Sequence, residues 1–289
     1  MSNTLVTIDM VTREALRIAH EKCQFISTTD RQYDSSFAKT GAKIGASLRV
    51  RKPNQYLRTQ GTRVMDVQEQ DEQTSTVTVA TQDHVDMRFN SAELALSLDE
   101  LSKRYIEPAV SSLVSAIEGD YLAYATKKTY NVVGTAGTAI TDLTAPGLAR
   151  ARLNQMLAPK DRNRAIQMDS VTMAGLVKGV AAYFNPSGAI SEQYREGLVA
   201  RTSMADYYEN ERVWTLTNSA DVTVTTAAAA AVTDGGTNIT LASVGAGDTT
   251  AGMTFTVAGV YACHPETKQS LGYLQPYVVI TGGATTPTA

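Results

Sequence analysis

The sequence predicts an α+β fold, and three observations carry that expectation. Apolar residues recur at steps of three and four through residues 99–130, the period of one helical face. Strand-like alternation marks Leu48 and Val50, Val77 and Val79, and Val85, Met87 and Phe89. Short Thr- and Val-rich runs separated by glycines fill the stretch beyond Asp206. At 289 residues the chain is long enough for two domains, or for one core with an insertion.

The helix expected over residues 99–130 is the longest element. Leu101, Tyr105, Ala109, Leu113, Ala116, Ile117, Tyr121 and Tyr124 fall on one predicted face. At about 1.5 Å per residue it would span roughly 35–48 Å. Asp99 is the expected N-cap, and Glu100 and Glu107 early with Lys127 and Lys128 late complement the helix dipole. Pro108 has no N–H and crowds the preceding carbonyls, which predicts a kink there or a restart with Pro108 in the first turn. The core helix of an ordinary enzyme would satisfy the same pattern, so its surroundings must decide.

Composition narrows the classes. A net charge of −3 and no dense basic cluster argue against a protein that coats nucleic acid, because neutralising phosphates needs a basic surplus. Cys23 and Cys263 lie far apart in dissimilar contexts, so two unpaired thiols in a reducing compartment are expected. The N-terminal residues lack a basic region followed by an apolar core, and no apolar run approaches the roughly 20 residues that span a bilayer. The chain is expected to be made and kept in the cytoplasm unless lysis releases it.

Taken in order, residues 11–23 read as a short amphipathic helix with Val11, Ala15, Ile18, Ala19 and Cys23 on one side and Thr12 or Asp9 as cap. Such a short helix must dock its stripe on something, its own domain or a neighbouring subunit. From Asp30 to Thr81 the chain is polar and strand-like, with turn residues Pro53, Asn54 and Gly61. Its charges are sorted. Arg31, Lys39, Lys43, Arg49, Arg51, Lys52, Arg58 and Arg63 come first against Asp34 alone, and Asp66, Glu69, Asp71 and Glu72 follow. A hairpin folded near the middle would lay basic strand beside acidic strand, or offer each to an oppositely charged neighbour. A solvated hairpin with exposed ion pairs, each contributing about 0–1 kcal/mol, is the plainer alternative. The shortage of large apolar residues over some fifty positions favours assembly, since the arm cannot build a core yet is too patterned to be disordered.

Val85, Met87 and Phe89 then predict a half-buried strand. After the long helix, a compact α/β region is expected: a helix over 146–157 with Pro146 in its first turn, a strand over 164–168, a helix to Phe184 capped by Asp169 or Ser170, a break at NPSG (185–188), and a helix over 187–198. Strands are expected at 213–216, 222–225, 239–241, 253–257 and 273–280, forming a small antiparallel sandwich or barrel. Residues 282–289 read as a tail.

No catalytic pattern emerges. His20 and Cys23 share a helical face but lack a second ligand pair. Cys263 and His264 are adjacent and do not converge on one metal, and His84 between Asp83 and Asp86 reads as solvated surface. The sequence has no GxGxxG, Walker A, GxSxG or HExxH motif, and GAKIG at 41–45 lacks the strand and helix that phosphate binding requires. No cofactor, metal or catalytic residue is assigned.

The stretches MVTREALRIAHE, RQYDSSFAKTGAKIGASLRVRKPNQY, TVTVATQDHVDMRFNSAELALSLDELSKRYIEPAVSSL and the less specific KQSLGYLQPYVV, with the order of elements, resemble the major capsid proteins of tailed bacteriophages, specifically the P22-like coat protein family with its HK97-type fold. The resemblance covers most of residues 1–285. It implies an N-terminal arm (1–30), an extended E-loop (31–81), a strand and spine helix (82–140), peripheral and axial α/β parts (141–210), an inserted β domain (211–285) and a tail (286–289). It further implies a structural protein, not an enzyme. Such a protein self-assembles as hexamers and pentamers into an icosahedral shell around double-stranded DNA, with scaffolding and portal proteins as partners, no membrane, assembly in the bacterial host cytoplasm and residence in the virion. The twelve sorted charges of the arm are its candidate assembly interface.

Relatives continue past an insertion of this kind whereas this chain stops at Ala289, so a longer polypeptide is the preferred expectation, with the β region as a C-terminal appendage the alternative. No lysine and asparagine pair matches the cross-link that some members form. An encapsulin-type nanocompartment shares the fold and is the runner-up. A hydrolase or carbohydrate-binding protein bearing the Thr-rich sandwich is a third reading, and it requires clustered exposed aromatics; Trp214, Phe255, Tyr261, Tyr273 and Tyr277 are spaced as core residues of strands.

Overall fold

A computed structural model of the chain describes residues 8–29, 43, 45–54, 56, 58–61, 67, 69, 72–88, 98–135, 137–160, 163–180, 205–216, 225–226, 241–242 and 250–281. These combine helices with small two-stranded sheets, an α+β arrangement. The chain divides into two compact units. The first comprises Met1–Lys22, Thr29–Leu113 and Cys263–Gln269, and the second Cys23–Thr28, Val114–Ala262 and Ser270–Ala289.

In the first unit, α1 (Ile8–Lys22) turns Val11, Ala15, Ile18 and Ala19 inward, as the sequence pattern predicts, with Ile18 buried. Thr12 lies inside the helix and its hydroxyl donates back to the Ile8 carbonyl at 2.9 Å, so it is not the cap. Glu14 also faces inward. Its carboxylate accepts from Arg17 (2.6 Å) and from the Ser102 hydroxyl (2.9 Å), and Lys22 Nζ lies 3.3 Å from Glu107. α1 is thereby tied to the start of the long helix.

That helix is composite. α3 (Leu98–Leu101) runs into a π-helical turn (Ser102–Ile106), which runs into α4 (Glu107–Lys128). Leu98 and Asp99 are already helical, so Asp99 is not the N-cap. The Glu107 N–H reaches the Ser102 carbonyl, five residues back. This widened turn stands where the Pro108 ring would otherwise crowd the carbonyl four residues before it, and α4 restarts with Pro108 in its first turn.

The extra residue has a second effect. From Leu101 the next buried apolar position is Ile106, five residues on instead of four, and then Val110, Val114, Glu118 and Leu122 follow at steps of four. The predicted face is thus corrected by one position. Tyr121 and Tyr124 are exposed, as is Ala116, because a π turn rotates everything after it by about one residue.

β1 (Ser47–Arg51) and β2 (Thr74–Thr78) pair antiparallel, Leu48 opposite Val77 and Arg49 opposite Thr76. Two further bonds, Gly45 N–H to the Val79 carbonyl and Val79 N–H to the Ala46 carbonyl, extend the ribbon. The strand expected at Val85 and Met87 does not form: both residues are exposed, at 41% and 42%, and carry no ladder. Alternation describes an extended segment, and a strand also needs a neighbour to bond. Phe89 lies outside the described residues.

The second unit has its core around Met168, Met173, Leu176 and Tyr207, with Ile140, Leu143, Ile166 and Val177 packed against it. β3 (Ala165–Met168) runs parallel to β4 (Asp206–Glu209), which the sequence reading missed. α5 (Thr144–Gln155) holds Pro146 in its first turn, as expected. α6 (Ser170–Val180) is capped by Asp169, whose Oδ2 accepts from the Thr172 N–H at 3.3 Å. A Cβ on Gly179 would stand 1.6 Å from the Thr141 carbonyl oxygen, and one on Gly175 3.3 Å from that of Ile140. These glycines let α6 lie directly on the 140–141 backbone. The expected end at Phe184, the break at 185–188 and the helix at 187–198 lie outside the described residues.

Beyond β4, residues 213–216 form no strand, contrary to expectation. β5 (Thr225–Thr226) pairs antiparallel with β6 (Leu241–Ala242), and β7 (Thr254–Cys263) pairs with β8 (Ser270–Val278). Among the described residues these are two separate two-stranded sheets, and the other expected strand positions of the sandwich or barrel, 222–224 and 239–240, lie outside them.

Candidate functional site

Two features stand out, one exposed and one buried. The first is the arm. Among the described residues 43–88 none is buried, and only Ala46, Leu48, Val50 and Val79 are even half-covered. Lys43, Arg49, Arg51, Lys52, Arg58, Glu69 and Glu72 are all exposed there, and Arg31, Lys39, Arg63, Asp66 and Asp71 lie outside the described residues. Period-two geometry puts Arg49 and Arg51 on the face opposite Leu48 and Val50.

Among the described residues the sorted charges do not meet strand to strand. β2 reads TSTVT, so the basic strand lies beside a neutral one, and the acidic residues fall in the connection before it. Arg51 does reach Glu72, at 3.6 Å with both side chains mostly exposed, a pair contributing about 0–1 kcal/mol. Val67 and Val77 stand exposed among these charges. Among the described residues the surface is a mixed charged and apolar ribbon with no buried side chain.

The second feature lies in the second unit and centres on Glu118, which is 0% exposed. Its Oε1 accepts the backbone N–H groups of Phe25 (2.9 Å) and Ile26 (3.5 Å), at the start of the single-turn helix α2 (Phe25–Thr28). Its Oε2 accepts from Arg212 at 2.7 Å. The same guanidinium donates through Nε to the Ser115 hydroxyl at 3.1 Å. Asn210 orients Arg212, since its Oδ1 accepts the Arg212 N–H (3.0 Å) while its Nδ2 donates to Gln167 (2.8 Å). One turn along α4 from Glu118, Tyr121 meets the Phe25 ring with centroids 5.3 Å apart. A buried carboxylate is tolerable because its charge is balanced and both oxygens are bonded.

Sequence reasoning missed this cluster. Its one signal is the row Val110, Val114, Glu118, Leu122, in which an acid occupies an otherwise apolar four-residue repeat.

The residues weighed for chemistry have structural surroundings. His84 Nδ1 lies 3.2 Å from Asp86 with both exposed, as expected of solvated surface. His264 Nδ1 accepts the Glu266 and Thr267 N–H groups, each at 3.3 Å, and so closes the turn after β7. Cys23 and Cys263 are thiols. Among the described residues no three His, Cys, Asp or Glu side chains gather as a metal site. No helix among them is long and apolar enough to cross a membrane.

The aromatics read as strand core are not buried. Trp214, Phe255 and Tyr273 are half-covered, and Tyr261 and Tyr277 are exposed at 53% and 37%. Phe255 stacks on Tyr277 at 5.5 Å, Lys127 lies 5.0 Å over Trp214, and Arg152 lies over Tyr273. Tyr261 is six positions beyond Phe255 on β7, roughly 20 Å along the strand, so the exposed aromatics do not form one patch.

Comparison with protein-family models and with curated proteins finds nothing that matches this chain.

Proposed function

We propose that this chain is a structural shell protein, a phage major capsid protein of the HK97 type that self-assembles into an icosahedral head around double-stranded DNA. The observation that carries the reading is the arm: residues 43–88 include a bonded ribbon, exposed charges of both signs and exposed valines, yet no buried residue among those described. A segment so patterned gains its burial from another chain. The stretches that resemble the P22-like coat proteins include this arm and the long helix, which supports assigning them as E-loop and spine.

Function in this reading is geometric. The arm lies over a neighbouring subunit, its charges steer association and set register, and many weak repeated contacts close pentamers and hexamers into a shell. Scaffolding and portal proteins are the expected partners, the host cytoplasm the place of assembly and the virion the destination. A net charge of −3 suits a wall that confines DNA without gripping it. The role requires no catalytic group or cofactor.

Light scattering of assembling protein over a salt series tests the part played by the arm. Assembly rate is expected to fall steeply between low salt and about 0.5 M, where screening shortens charge–charge range to a few ångströms. A flat response contradicts charge steering.

A further inference from the structure

The segment Cys23–Thr28 belongs to the second unit, while the chain on both sides of it, Met1–Lys22 and Thr29–Leu113, belongs to the first. None of the six residues is buried. Phe25 and Ile26 nevertheless cover Glu118, whose oxygen takes their N–H groups and whose side chain has no exposure left. Closing this segment thus has an electrostatic condition, because it takes a carboxylate out of water. Arg212 meets the condition at 2.7 Å, and its own side chain keeps a quarter of its surface exposed.

We infer that Cys23–Thr28 is a strap that opens and closes over Glu118, and that Arg212 sets the balance between the two states. With Arg212 in place the closed strap buries a compensated charge. Without it, closure buries a bare carboxylate, and the open state, in which water reaches Glu118, is favoured. A neutral amide at 118 removes that conflict while leaving an oxygen for the Phe25 N–H. The inference is independent of the shell reading, since it concerns one chain.

Cys23, half-covered at the start of the strap, reports its state, and exposed Cys263 serves as the reference for reagent access. Thiol labelling of the full chain by a maleimide is measured at both cysteines, with helical circular dichroism recorded in parallel. In Arg212→Met, labelling at Cys23 is expected to speed up about tenfold with Cys263 and the dichroism unchanged. Adding Glu118→Gln to Arg212→Met is expected to return the Cys23 rate to within about threefold of the parent. An unchanged Cys23 rate in Arg212→Met overturns the inference. So does acceleration accompanied by loss of helix, or a double variant as fast as the single one.

Discussion

Arg212 and Glu118, 94 positions apart in sequence, meet at 2.7 Å, the acid fully buried and the base a quarter exposed. A one-sided change leaves a charge without its partner. Arg212→Met is expected to lower unfolding free energy by about 3 kcal/mol, the low end for a broken buried pair because Arg212 is partly hydrated. Replacing both residues, Glu118→Gln with Arg212→Met, is expected to cost less than Arg212→Met alone. Urea denaturation of the three proteins checks the order.

Glycine positions separate packing from helix propensity. Gly119→Ala, with nothing within 4 Å of the new Cβ, is expected to stabilise by up to about 1 kcal/mol through propensity alone. Gly179→Ala gains the same propensity but drives its methyl into the Thr141 carbonyl, and a net loss of about 1–3 kcal/mol is expected. Thermal unfolding of the two variants should move in opposite directions.

Glu14 offers a titration. Hydrogen bonds from Arg17 first and Ser102 second hold its carboxyl down at about 2, against 4.5 for an ordinary glutamate. Because the folded value is the lower one, these bonds favour the folded state above pH 4.5 and the benefit disappears as pH falls through about 2. Carbon-detected NMR should find a midpoint near 2, moving up toward 4.5 in Arg17→Ala and by less in Ser102→Ala.

Asp169 caps α6 through the Thr172 N–H, and a hydrogen bond from the Thr172 side chain first, with backbone N–H groups after it, holds its carboxyl below the usual aspartate range. Asp169→Ala is expected to cost about 1 kcal/mol and Asp169→Asn much less, since the amide oxygen still caps. The charged form is the one favoured, so the cap weakens only as acid protonates it.

Much of the local structure was legible because period and punctuation are local properties. The α1 stripe at Val11, Ala15, Ile18 and Ala19 follows from spacing, and the β1–β2 ribbon from Leu48/Val50 and Val77/Val79. Pro146, Asp169 and the His264-Pro265 turn marked boundaries that the structure keeps. The α4 face was not legible, since the π turn at Ser102–Ile106 shifts the register and nothing in the spacing announces it. β4 was missed because a parallel partner 41 positions away, Ala165 opposite Asp206, leaves no mark on DYYE. Glu118 was missed because an acid in a helix reads as surface until Arg212 is placed beside it. The arm's charges were legible as a pattern. Their strand-to-strand pairing was not, because register puts Thr76 and Thr74 across from Arg49 and Arg51.

Electron microscopy of the expressed chain, alone and with a scaffolding partner, together with sedimentation, tests the shell reading most directly. The account predicts closed particles of uniform size, lost when Arg49 and Arg51 on the exposed face of β1 are both changed to Glu. Monomers that persist in every condition, with sedimentation unchanged by the scaffold, would contradict it.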